Sequence, residues 1–442
     1  MKLSEITEAL NLPLLQDKLL TGVCIDSRQL KPGNLFVAIR GDHFDGHQFI
    51  PDVISRGAAA VLCSDVIQGI SIPQLVVEDT VQALAIIAAA HRKTLSCGVI
   101  ALTGSNGKTT VKEMIAAILP QPSYATPGNL NNHIGVPLSV LQLQEDHRYA
   151  VFELGANHQG EIAHTVAIVQ PQVTLINNIA PAHIEGFGSL DGVACAKGEI
   201  HQGLAEAGTA VINDDDAYAH YWDQFLANKN TLRFSASHPA AVHARDITFD
   251  ENGFGQFVLV LPEGESLITL RVAGLHNVRN ALAASACTHA LGISLSDIEA
   301  GLRQFRGVSG RMTFLHGKNN ALIIDDTYNA NLRSSLTAIE VLANRQGRRI
   351  FVFGDMGELG SYSIQHHEEV GRAARQHGID MLMTCGTHSE MAARAYGDTA
   401  KHYYHQDELV DDLLDQLNEN TTVLVKGSRS SKMEKIVHQL VG

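Results

Sequence analysis

Residues 98–119 read GVIALTGSNGKTTVKEMIAAIL, and this stretch decides the fold. Gly98 to Thr103 is short, apolar and followed at once by glycines, the pattern of a strand buried in a parallel sheet. Beyond the loop, Val111, Met114, Ile115, Ile118 and Leu119 fall on one helical face, and Pro120 stops the helix. Strand, glycine loop and helix in that order suit phosphate. A helix N-terminus presents unpaired N–H groups and the positive end of a dipole. Gly104 and Gly107 allow a close approach of backbone to anion that a Cβ would obstruct. Lys108 is placed to reach terminal phosphates, and the Thr109 hydroxyl to ligate Mg²⁺. Ser105, Asn106 and Thr110 complete the loop. The strict pattern G-x-x-x-x-G-K-[ST] is not met: its first glycine would fall at Leu102, and the glycine here is Gly104.

Working outward, the chain reads as α/β throughout. Its 442 residues allow several domains with ample core. Residues 1–80 form a small module with strands at 34–39, 59–62 and 74–77. Residues 81–307 form a second unit. There a helix over 81–92 leads into the glycine loop, and strands at 150–154, 173–177 and 209–212 alternate with helical stretches. That alternation implies a doubly wound, mainly parallel sheet. Residues 257–261 and 267–272, joined by Pro262 to Ser266, read as an appended hairpin. A helix over 277–291 follows, and Ser294 with Asp297 starts another. Residues 308–442 alternate again, with strands at 321–324, 349–353, 381–385 and 422–425, a second and smaller open sheet.

Composition narrows the function. The net charge of −14 is spread without a basic block, which argues against a nucleic-acid partner. It leaves room for anionic small ligands at a local lysine and Mg²⁺ site. The six cysteines form no C-x-x-C, so reduced buried thiols are expected. The opening MKLSEITEAL lacks the apolar core of a signal peptide. The longest apolar run, Ala83 to Ala90, falls well short of the ~20 residues a membrane span takes. A soluble, cytoplasmic monomer with no membrane insertion is expected.

Polar residues at strand ends face the ligand crevice of such sheets. Glu153 ends an apolar strand, where a carboxylate either holds Mg²⁺ or serves as a cap or ion pair. His183 follows the strand at 173–177, as a ligand or a structural histidine. Lys197, in Ala194 to Ile200, reads as an early helical turn, with a solvated side chain as the plain alternative. Gly128 to Pro137, including Asn132, is an Asn-rich loop before a helix. Asn277 and Asn280 open the helix over 277–291.

The loop T-G-S-N-G-K-T-T resembles that of the Mur ligases and folylpolyglutamate synthetases, ATP-dependent enzymes that join an amine to a carboxylate. The order E-x-G-A at 153–156, A-H-x-x-x-F-G at 182–188 and A-K-G-E-I at 196–200 is similar to the Mur ligases block by block. The pattern from Ser27 to Phe49 resembles the uridine-nucleotide-binding domain of those that add D-alanyl-D-alanine. So does Asp325 to Asn331, although Leu332 stands where that group has proline. The meso-diaminopimelate ligases' D-N-P-R is absent. Gly354 to Gly360 and Lys426 to Arg429 complete the pattern.

The resemblance implies three α/β domains: a uridine-nucleotide-binding domain, a central doubly wound P-loop ATPase domain and a C-terminal Rossmann-like domain. It implies ATP and Mg²⁺, with UDP-N-acetylmuramoyl-tripeptide and D-alanyl-D-alanine as substrates. It implies Thr109 and Glu153 on one Mg²⁺, with His183 and a carbamylated Lys197 at a second. It places Asn277 and Asn280 near the adenine, Arg311 near the terminal phosphate and Asp326 near the ribose. Lys108, His183, Lys197 and Arg311 are the implied catalytic set. Ser27, Arg28, Asp45, Gly46, His47, Asn132, Tyr328, Asn329 and Asn331 are the implied substrate contacts.

Overall fold

The structure is a computed structural model that describes residues 1–14, 16–41, 44–181 and 184–441, with backbone alone for residue 184. Three sheets follow one another along the chain. The first has four parallel strands in sequence order: Gly22–Cys24, Asn34–Val37, Ala60–Cys63 and Gln74–Val76. Its middle strands are wholly buried, hence their apolar sequences.

The second sheet has nine strands. Gly98–Thr103 lies at its heart, parallel to Val173–Ile176 on one side and Tyr149–Glu153 on the other. Ser123–Ala125 closes one edge; Thr209–Asn213, Asn230–Ser235 and Val242–Phe249 extend the other in parallel. The hairpin Phe254–Leu261 and Gly264–Ala273 is antiparallel and forms the far edge. Its turn is only Pro262 and Glu263, shorter than the sequence suggests, because the ladder runs on to the pair Leu261 and Gly264. Helices cover both faces. Lys108–Ile118, Leu275–Ala290 and Leu295–Gln304 pack on one apolar cluster, Glu161–Val169 and Leu190–Gly198 on the other. The connection out of Gly98–Thr103 leads to the strands on one side, while Val173–Ile176 lies on the other. The sheet therefore changes direction there, and the crevice opens at the carboxyl ends of these strands.

The third sheet has six strands in the order Thr313–His316, Leu322–Asp326, Thr421–Lys426, Arg348–Gly354, Met381–Cys385 and Lys401–Tyr403. All pairings are parallel except the first. The helix Thr80–Lys93 belongs to two cores. Ala83, Leu84 and Ile87 pack with the first sheet, Ala85 and Ala88 with the second. No helix among the described residues is long and apolar enough to cross a membrane.

Candidate active site

The phosphate loop is braced from the next strand. Ser105 N–H donates to the Asn178 carbonyl at 3.0 Å, and Asn106 N–H to Asn178 Oδ1 at 2.9 Å. The amide groups of Asn177 and Asn178 both donate to the Asn106 carbonyl at 2.9 Å. Ser105 Oγ bridges the backbone of Ala180, 2.9 Å from its carbonyl and from its N–H. The N–H groups of Ser105 and Asn106 are thus spent within the protein. Those left to face an anion belong to the first turn of the helix Lys108–Ile118, whose N-cap is Gly107. Gly107 has φ +78°, and a Cβ there would lie 2.7 Å from Asn177 Nδ2 and Asn280 Oδ1. This is the position where only glycine fits.

Charge converges on that turn. Lys108 Nζ donates to the Gly104 carbonyl at 2.7 Å. Thr109 Oγ1 donates to Glu153 Oε2 at 2.8 Å and accepts from Arg311 Nη2 at 2.9 Å. Asn131 Nδ2 holds the other oxygen of Glu153 at 2.8 Å. Burial holds the Lys108 ammonium below the ordinary lysine range, Glu153 pulls it back up, and Arg311 adds to the depression. Two buried donors, Asn106 Nδ2 and Arg311 Nε, have no acceptor among the described residues. Orphaned cationic and amide donors around a helix N-terminus are the chemistry of a polyphosphate site. A hydroxyl and a carboxylate 2.8 Å apart beside it are hard oxygen donors of the kind Mg²⁺ takes together with phosphate oxygens.

Lys197 is 1% exposed and sits in the last turn of Leu190–Gly198, not in an early turn. Ser189 caps that helix, so the turn read from Ala194 to Ile200 falls at its end. Burial pushes the Lys197 amine well below its ordinary value, and the Lys108 charge pushes the same way. No ion pair to Lys197 is found among the described residues; its Nζ lies 5.8 Å from the centre of the Phe187 ring. His183 lies outside the described residues.

Asn277 and Asn280 are both buried. Their amides form a chain from the Ala273 carbonyl through Asn277 and Asn280 to Asn177, with links of 2.8, 3.1 and 3.1 Å. They buttress the phosphate loop. Beside this helix start lies a cavity of about 460 Å³ lined by Phe249, Gly253, His276, Arg279, Val341 and Arg345 among others.

The third unit reaches across. The Arg311 guanidinium stacks 4.1 Å from the Tyr328 ring centre. Asn331 Nδ2 donates to Asn106 Oδ1 at 2.7 Å. Asp326 faces Lys426 at 2.6 Å because the register of their parallel strands pairs them. Lys426 also holds the Asn329 carbonyl at 3.0 Å. Asn331 caps the helix Leu332–Ala343, so Leu332 is its first residue. Proline is accepted there but not required, since that N–H has no partner within the helix. A polar cleft of about 340 Å³ separates Glu185 from third-unit loops at 355–360, 388 and 428–430.

In the first unit the candidates gather at the carboxyl ends of the strands. Ser27 and Arg28 lie in a turn capped by Asp26, which also pairs with the exposed Arg28 guanidinium at 2.7 Å. Asp45 Oδ1 accepts from His47 Nδ1 at 2.6 Å, while His47 Nε2 accepts from Ser64 N–H at 2.9 Å. His47 is therefore locked as one tautomer. Gly46 packs its backbone on Ile39. Asp42 and His43 lie outside the described residues. Asn132 Oδ1 accepts from the N–H groups of Ile134 and Gly135, at 3.2 and 2.8 Å, at the entry to the helix Gly135–Val140. Sequence reasoning missed Asn131, Asn177, Asn178 and Arg333. The first three are polar residues at strand ends or loops, a signal that was available. The contact from Arg333 to the Ile179 carbonyl, 3.1 Å, spans 154 residues and left no local sign.

Fold and site together define a nucleotide-dependent α/β enzyme of three sheets. Residues 19–92 match the Mur ligase family catalytic domain, 102–288 the Mur ligase middle domain and 310–429 the Mur ligase glutamate ligase domain. The chain is 44% identical to the UDP-N-acetylmuramoyl-tripeptide–D-alanyl-D-alanine ligase of Escherichia coli (strain K12), over 99% of this chain and 98% of that one. It is 32% identical to the Bacillus subtilis (strain 168) ligase of the same name, over 97% and 95%. MurF from Acinetobacter baumannii superposes with a TM-score of 0.91 at 37% identity, covering 99% of this chain and 98% of that one. MurF ligase from Thermotoga maritima in complex with ADP does so at 0.82 and 28%, covering 95% and 96%. The chain belongs to the Mur ligase family.

Proposed function

We propose that this chain is a cytoplasmic ligase that joins D-alanyl-D-alanine to UDP-N-acetylmuramoyl-tripeptide. ATP drives the reaction, and the products are UDP-N-acetylmuramoyl-pentapeptide, ADP and phosphate. The supporting observation is the convergence of Lys108, Thr109, Glu153 and Arg311 on one helix N-terminus, in a chain similar over its whole length to ligases of that name. Residues 1–80 would carry the uridine nucleotide, 81–307 ATP, and 308–442 the parts that complete the site.

A carboxylate is a poor electrophile, so ATP first converts the tripeptide's terminal acid to an acyl phosphate, releasing ADP. The amine of D-alanyl-D-alanine, having lost its proton, attacks the carbonyl; the tetrahedral adduct collapses and phosphate leaves. Lys108, Arg311 and the free N–H groups after Gly107 stabilise charge on the transferring phosphoryl. Thr109 and Glu153 would hold one Mg²⁺, which supplies further charge neutralisation. His183 and Lys197 would hold a second. Lys197 suits carbamylation because a buried amine without a counter-charge favours its neutral form. That amine adds to CO₂, loses a proton and becomes an anionic carbamate.

The adenine enters the cavity beside His276, near the Asn277 and Asn280 helix start. The dipeptide enters the cleft beside Glu185. Measuring phosphate release with each substrate omitted tests the reading. Release that requires both the UDP-tripeptide and D-alanyl-D-alanine is expected. Release indifferent to both would mark a regulatory ATPase, and acceptance of other amine and acid pairs would mark a different ligase of the superfamily.

A further inference from the structure

Glu199, in the A-K-G-E-I block at 196–200, is a carboxylate with no part in the chemistry so far assigned. It is 9% exposed. It stands two residues beyond Lys197, where the helix Leu190–Gly198 passes into the turn Glu199–Gly203. Its two oxygens are divided between two backbone donors of another element. Oε1 accepts from the Gly160 N–H at 2.7 Å and Oε2 from the Ala163 N–H at 3.0 Å. Gly160 is the N-cap of the helix Glu161–Val169, and Ala163 lies in its first turn. N–H groups there have no partner within their helix, and the dipole favours a negative charge beside them.

The segment so gripped begins at Glu153 and is itself held throughout. The Gly155 N–H donates to the Asn131 carbonyl at 2.8 Å, and the N–H groups of Asn157 and His158 donate to Glu161 Oε2 at 2.8 and 3.3 Å. The Lys197 turn has other holds. Trp222 Nε1 donates to the Ala194 carbonyl at 3.2 Å, and its ring lies so close that a Cβ at Gly198 would come within 2.4 Å of Nε1. His201 bonds Thr174 at 3.0 Å. Ile162 and Val166 share an apolar cluster with Ala196 and Ile200. Apolar packing sets a separation without a direction, whereas hydrogen bonds are directional. Among the described residues, the hydrogen bonds that join the Lys197 turn to the segment carrying Glu153 are the two made by Glu199.

We propose that Glu199 is a positioning residue for Lys197: through Gly160 and Ala163 it fixes the turn that carries the Lys197 side chain relative to Glu153. This rests on the reading of Lys197 as a carbamate. The lysine nitrogen stands at the end of a long flexible stem, so a small rotation of its turn is magnified there. Glu199→Ala removes both bonds. Glu199→Gln keeps an oxygen for one N–H and sets an amide donor against the other.

The test joins steady-state kinetics to carbon NMR of the full chain equilibrated with ¹³C-bicarbonate, for wild type, Lys197→Ala, Glu199→Ala and Glu199→Gln. Wild type should show one carbamate resonance, which Lys197→Ala abolishes. In Glu199→Ala that resonance should move or vanish, and kcat should fall about tenfold or more, the scale of a misplaced catalytic group. KM for ATP and for the UDP-tripeptide should stay within about twofold, and Glu199→Gln should fall between Glu199→Ala and wild type. Glu199→Gln carries the same comparison where Glu199→Ala does not fold. An unmoved resonance, with kcat and all KM values changed together, would reduce Glu199 to a structural cap of the helix Glu161–Val169. Unchanged kcat in a folded Glu199→Ala would overturn the positioning role while leaving Lys197 its own. A wild type without the resonance would remove the carbamate and this proposal with it.

Discussion

Two amines disfavoured as cations by desolvation, the half-buried Lys108 and the buried Lys197, carry most of the proposed chemistry. Neither is a solvated side chain, and each is destabilised as a cation until a negative partner arrives. For Lys108 that partner is a phosphate, so its ammonium costs the free protein and is repaid only in the bound state. Lys108→Ala should lose at least about a hundredfold in kcat/KM, the usual scale for removing one electrostatic stabiliser. Its thermal unfolding should match wild type, because the lost contact is a single bond to the Gly104 carbonyl. For Lys197 the partner is proposed to be its own carbamate. Lys197→Ala should be inactive and should regain part of its turnover in acetate or another short carboxylate. Full activity without rescue would make Lys197 a bystander.

At the scale of elements, the glycine loop holds its shape through its surroundings rather than its own sequence. Gly107→Ala forces a side chain into a left-handed backbone and onto Asn177 and Asn280. It should cost about 1–3 kcal/mol in denaturant unfolding and raise KM for ATP. The turn Glu199–Gly203 carries a second test. Its His201 bonds Thr174 at 3.0 Å, and burial pushes its pKa down to about 4. The unfolded chain then binds more protons than the folded one between pH 6.5 and about 4, so stability falls as pH drops through that window. Wild type should lose about 2 kcal/mol more than His201→Gln between pH 7 and pH 5, by denaturant unfolding.

The elements legible in the sequence are those buried on both faces, such as Gly98–Thr103 and Met381–Cys385, whose apolar runs leave no ambiguity. Gly22–Cys24, Ser123–Ala125, Thr313–His316 and Lys401–Tyr403 were not. They are short strands at sheet edges, half-exposed and compositionally like loops. Asn230–Ser235 and Val242–Phe249 hid for the related reason that much of each faces solvent. The residues of the phosphate loop could be read directly because motif and context coincide. The Asp326 and Lys426 pair could not, since only strand register brings together residues 100 apart.

At the scale of the molecule, few polar bonds among the described residues hold the third unit against the central one: Arg311 to Thr109, Asn331 to Asn106, Arg333 to the Ile179 carbonyl and Arg345 to the Glu251 carbonyl. Two of these four end on the phosphate loop itself. A nucleotide there would bear on the contacts that set the arrangement, so closure and binding should be linked. Solution scattering should show compaction when ATP analogue and both substrates are added, and Arg333→Ala should weaken it. Identical profiles with and without ligands would argue against rigid-body closure. Closure matters because an acyl phosphate exposed to water is lost to hydrolysis.

All of this depends on where the triphosphate sits, and a crystal structure with a non-hydrolysable ATP analogue measures that directly. The account predicts its terminal phosphates against the N–H groups that follow Gly107, within reach of Lys108 Nζ and the Arg311 guanidinium. A nucleotide bound elsewhere, with the Lys108 to Gly104 bond undisturbed, would contradict it.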